Sequence, residues 1–134
     1  MAADAQALAP SKRMFWIGWA VTVPPVLLLI VSGGMKLSQS PQAAEGFGKL
    51  GWPANLLLPL ATIELTCVAL YLNPRTAVLG AILLTGYLGG ATATHLRLQE
   101  PDAAAPVVVG VLLWLGLFLR DSRIRSLIPF RFNP

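Results

Sequence analysis

Glu64 is the residue of this chain best suited to proton chemistry. It stands in the apolar run Ala54 to Leu72, about ten residues from its start, and is the only charge there. At about 1.5 Å of rise per helical residue it lies roughly 15 Å deep, near the middle of a hydrocarbon layer. A carboxyl group at that depth is expensive, so it is expected to face a bundle interior or a cavity and to have a polar partner. Leu57, Leu60, Ala61, Cys67, Val68 and Tyr71 share its helix face at about 100° per residue, which makes Cys67 and Tyr71 candidate neighbours. His95 is the one histidine; it ends another apolar run, with Thr85 and Thr92 on or beside its face. Lys36 ends the first such run. Glu64 and His95 form a candidate acid–base pair, and Lys36, Tyr71, Thr92, Cys67 and Thr85 are candidate ligand-binding residues. The plainer reading of the same residues is a hydrogen-bonded Glu64 that fixes packing, an interfacial His95 and a snorkelling Lys36. No metal site is expected, because His95, Glu64, Cys67 and Asp102 lack ligand-like spacing. One histidine cannot supply a bis-histidine haem, and one cysteine cannot supply an intramolecular disulfide or a CxxC pair.

The elements that must hold these groups follow from composition. Of 134 residues, 55% are hydrophobic and only 12% charged, about half the charged share of a soluble domain. So short a chain cannot hide that much apolar surface from water by itself. The expected fold is all-α, an integral membrane four-helix bundle, with spans at about 15–34, 54–72, 76–96 and 103–119 inside a domain of 14–120. A short N-terminal tail, 1–13, and a basic juxtamembrane tail, 121–134, flank it; the latter interleaves arginines with Ile124, Leu127, Ile128, Phe130 and Phe132. Gly51-Trp52-Pro53 introduces the second span, while Asn73-Pro74-Arg75 and Glu100-Pro101-Asp102 break the chain after the second and third. The connection Met35 to Pro53 carries Phe47, Leu50 and Trp52 among polar residues and is expected at the interface. Pro24-Pro25 should kink the first span and free backbone carbonyls. That span is long for a signal peptide and is followed by no A-x-A site, so it reads as a retained helix. Gly86-x-x-x-Gly90 in the third span reads as a close-packing motif.

Orientation follows from lysine and arginine bias. With both termini in the cytoplasm, Lys12, Arg13, Arg75, Arg120, Arg123, Arg125 and Arg131 lie inside and Lys36, Lys49 and Arg97 outside, seven against three. Basic residues at span ends, rather than along one stripe, also argue against nucleic acid as a partner despite a pI near 9.9.

Four motifs together resemble the DoxX-like family. They are Ser32-Gly33-Gly34-Met35-Lys36-Leu37, Gly51-Trp52-Pro53, Glu64 followed by Leu70 and Tyr71-Leu72-Asn73-Pro74, and Thr92-Ala93-Thr94-His95-Leu96. The resemblance runs from about Phe15 to Leu119. It implies a bacterial four-helix, multi-pass protein of the inner membrane, related to the membrane subunit of a thiosulfate:quinone oxidoreductase. Lys36, Glu64 and His95 match the recurring polar positions of the family. The chain lacks a cysteine pair, which departs from the thiol-exchange role suspected for some relatives.

Three functions fit these residues. The first is a redox-associated membrane subunit that binds a quinone or similar lipophilic small molecule inside the bundle. Such a subunit would carry no cofactor of its own beyond a bound quinone or lipid. The second is a cofactor-free membrane enzyme, isomerase-like, with Glu64 and His95 as acid and base. The third is a structural or assembly partner of a membrane complex, or a homo-oligomer. The lipid bilayer is a partner in all three.

Overall fold

The computed structural model describes residues 11–128, and these are all-helical. The first ten residues, and Phe130, Arg131 and Phe132 of the basic tail, lie outside the described residues. Four long helices dominate: α1 (Lys12–Leu37), α3 (Leu57–Leu72), α4 (Ala77–Arg97) and α5 (Ala104–Arg120). Single 3-10 turns, Ala54–Leu56 and Pro101–Ala103, lead into α3 and α5. Two short helices complete the set, α2 (Pro41–Lys49) and α6 (Ser122–Arg125).

Local chemistry explains the boundaries. Ser11 caps α1 by accepting from Met14 N–H at 3.1 Å, and Ser40 caps α2 by accepting from Ala43 N–H at 3.2 Å with Pro41 in the first turn. Between α3 and α4, Asn73 Oδ1 accepts from Arg75 N–H and Thr76 Oγ1 donates to Leu70 O at 2.8 Å, which closes a tight antiparallel hairpin. Pro24 and Pro25 both lie inside α1, which continues through them. The connection between α1 and α3 holds a short helix, α2, whose Phe47 is buried. Gly51 turns the chain after α2 with a φ of 78°, a conformation that favours glycine. Arg97 Nη2 donates to Leu50 O there at 3.1 Å and ties this turn to the end of α4.

The long helices form a ring, with α1 against α3 and α5, and α4 against α3 and α5. Only 22–33% of the most apolar stretch of each is buried within the protein. Residues such as Val31, Ile82 and Val111 therefore need another apolar environment, and the four helices, α3 and α5 taken with their lead-in turns, are each long and apolar enough to cross a membrane.

Packing is uneven along the bundle axis. At the end that carries the termini, Thr22 Oγ1 donates to Gly18 O at 2.8 Å. A Cβ on Gly116 would strike Thr22, and one on Gly18 would lie 3.0 Å from Gly116 O. Gly80 sits equally close to the backbone of Leu70 and Tyr71. Tyr71 is fully buried and donates to Leu113 O at 2.6 Å. The Arg120 guanidinium lies 4.4 Å from the Trp19 ring centroid and 4.9 Å from that of Tyr71, a cation–π arrangement that helps compensate for its Nε and Nη2, which have no hydrogen-bond partner among the described residues. Below it, Arg123 hydrogen-bonds the Asp121 carboxyl, which holds that carboxyl below the ordinary aspartate range. At the opposite end burial in α4 stops at Leu88, and the helices part.

Candidate functional site

Where the helices part they enclose a cavity of about 670 Å³, within the range of small-molecule sites. All four long helices contribute walls, and α2 and Trp52 close one side. Most of the surface is apolar, and the polar groups are few.

The centre of the site is Glu64, buried on α3. Its Oε2 accepts from Lys36 Nζ of α1 at 2.6 Å and from the Tyr87 hydroxyl of α4 at 2.9 Å. Lys36 Nζ also donates to Ser32 Oγ, one turn earlier in α1, at 2.6 Å. Three helices are thus joined at one carboxylate oxygen. The lysine lies between helix end and interior, its side chain 15% exposed against 1% for Glu64, and its ammonium is 5.9 Å from the Tyr87 ring centroid. Hydrogen-bonding capacity remains. An ammonium has three N–H donors and two are engaged, and among the described residues nothing bonds Glu64 Oε1. His95 lines the same cavity from the far end of α4, and its buried Nδ1 has no partner among the described residues. Glu64 and His95 make no hydrogen bond to each other. Thr94 and Asp102 also line the cavity.

Comparison with known proteins finds a match to the DoxX-like family over residues 20–116, more than half the chain. The chain belongs to the DoxX-like family. No match is found among curated proteins or solved structures. The matched stretch contains every side chain of the cluster just described in this DoxX-like membrane protein, and also α2.

The sequence-derived candidates divide into two groups. Lys36, Glu64 and His95 come together on one cavity. Tyr71, Cys67, Thr85 and Thr92 do not line it. Tyr71 is committed to Leu113 O, and Cys67 is buried in the core. Thr85 Oγ1 donates to Ala81 O at 2.7 Å and accepts from Trp114 Nε1, while Thr92 Oγ1 donates to Leu88 O. Tyr87 was missed by sequence reasoning. The available signal was its heptad spacing to Thr94, next to His95, which puts a phenol on the same side of α4. Gly86 and Gly90 also turn out differently. A Cβ on either would meet nothing within 4 Å, and both line the cavity; α4 makes its close approach to α3 at Gly80 instead.

Proposed function

We propose that this protein holds a quinone or similar lipophilic carbonyl compound in the cavity, as the membrane subunit of a redox assembly in the bacterial inner membrane. One observation carries the reading: unspent hydrogen-bonding groups are gathered at a single place within apolar walls. A quinone matches that pattern, a flat apolar ring with carbonyl oxygens that need donors. In this arrangement the third N–H of Lys36 points the ligand's oxygen toward the cluster, while Glu64, Ser32 and Tyr87 fix the lysine. His95 offers a second polar contact nearer the mouth. The chain carries no motif for haem, flavin or an iron–sulfur cluster, so electrons come from a partner subunit. Lysine and arginine bias supports a bundle whose termini face the cytoplasm and whose cavity opens to the other side.

The test uses Trp52, which lines the cavity, as a reporter. Purified protein in nanodiscs, titrated with the tail-less ubiquinone headgroup, should show saturable quenching of tryptophan fluorescence. Lys36→Met should weaken binding by roughly tenfold or more, the worth of a hydrogen bond to a charged group. Quenching that rises linearly without saturating, or that is identical in the variant, would sink the proposal.

A further inference from the structure

Beside the cavity, on the lipid-facing side of the bundle, lies a second and smaller hollow of about 390 Å³ between α1 and α2. Leu28, Ser32, Lys36, Phe47 and Leu50 line both, so the two spaces meet along one seam. The α1 members recur every fourth residue and form a single stripe. It runs about 12 Å along the helix from Leu28 to Lys36 at 1.5 Å per residue. Past the seam the smaller hollow is walled by Val31, Met35, Ala43 and Gly46, none of which offers a polar side-chain group. Leu28 is 56% and Val31 60% exposed, on an outward face of the bundle. Polarity therefore rises in one direction: hydrocarbon outside, an apolar groove, Ser32 and Lys36 at the seam, then the carboxylate cluster.

We propose that the occupant of the cavity is a tailed amphiphile, whose polar head sits at the Lys36–Glu64–Tyr87 cluster while its hydrocarbon chain leaves through the α1–α2 groove into the bilayer. The inference rests on the cavity reading above and narrows the ligand class from lipophilic compounds in general to chain-bearing ones. The groove does not attract the chain, because lipid tails are as apolar as its walls. Its role is steric. Trp52 and Asp102 line the cavity at the loop end of the bundle, and a chain leaving between them would enter water at a cost for every methylene. The groove keeps the chain in hydrocarbon while the head is held. Gly46 maintains that passage: a Cβ there would meet nothing within 4 Å, so a larger side chain would fill the groove without disturbing its neighbours, and Gly46 does not line the cavity.

Gly46→Leu separates the two readings. In phosphatidylcholine nanodiscs, with affinity expressed per amount of membrane, wild-type protein should bind both the tail-less ubiquinone headgroup and decylubiquinone. Gly46→Leu should weaken decylubiquinone by at least about tenfold, as steric overpacking would, and leave headgroup binding unchanged. A second measurement needs no variant: decylubiquinone with a diazirine at the chain tip, photolysed on wild-type protein, should label Val31, Met35 or Ala43. Equal binding of decylubiquinone by both proteins, or labelling scattered over lipid-facing residues such as Leu79 and Ile82, overturns the chain path and leaves the cavity reading standing. Failure of the headgroup itself to saturate wild-type protein overturns both.

Discussion

Lys36 and Glu64 reach each other from different helices across 2.6 Å, with the carboxylate almost wholly buried. An ion pair so placed is costly to form and more costly to break, since removing one partner strands the other's charge. Lys36→Met alone should therefore destabilise the protein by about 3–5 kcal/mol, whereas Lys36→Met combined with Glu64→Gln should recover most of that loss. Unfolding in mixed micelles with increasing SDS measures both; a double variant no more stable than the single one would show that the two groups are not coupled. Glu64 was legible in the sequence because a carboxyl group inside an apolar run has few explanations. Lys36 was legible as the polar residue that ends the first span. Tyr87 was not, because an aromatic in a hydrophobic helix is ordinary core, and only the rotation of α4 against α3 turns its hydroxyl toward Glu64. The same rotation decides that Tyr71, on the correct face of α3, bonds a backbone carbonyl of α5 rather than a ligand.

The α3–α4 hairpin depends on Gly80, whose missing side chain lets the backbone of Tyr71 approach. Gly80→Ala must push the two helices apart, with an expected loss of about 1–3 kcal/mol or more. Gly86→Ala and Gly90→Ala meet open space, and alanine is the better helix former, so they should leave stability unchanged or raise it by up to about 1 kcal/mol. Thermal unfolding of the three variants in one detergent compares them directly; equal losses at all three positions would contradict the packing described. The four apolar runs were readable as helices from hydropathy and punctuation alone. A small-residue spacing is weaker information: it states that a backbone can be approached, not that a neighbour is there. Nor did the connection after α1 announce a helix, since α2 is short and buries only Phe47. Its signal was the Ser40-Pro41 start, a capping residue followed by a first-turn proline.

Taken whole, the bundle is closed at the end that carries the termini and open at the other, so its orientation decides which compartment the cavity faces. The proposed orientation, drawn from lysine and arginine bias, would put the closed end in the cytoplasm. With Cys67 replaced by alanine, a single cysteine at Lys49 should react with a membrane-impermeant maleimide added to spheroplasts, and one at Arg75 should not; the reverse pattern would invert the molecule. The division between the two ends has a further consequence. Close helix contacts are made at Gly18, Thr22, Gly33, Gly80 and Gly116, whereas Gly86 and Gly90 meet open space. Those two positions are therefore free to set the bore of the chamber. Side chains placed there would change the volume of the cavity without entering those contacts.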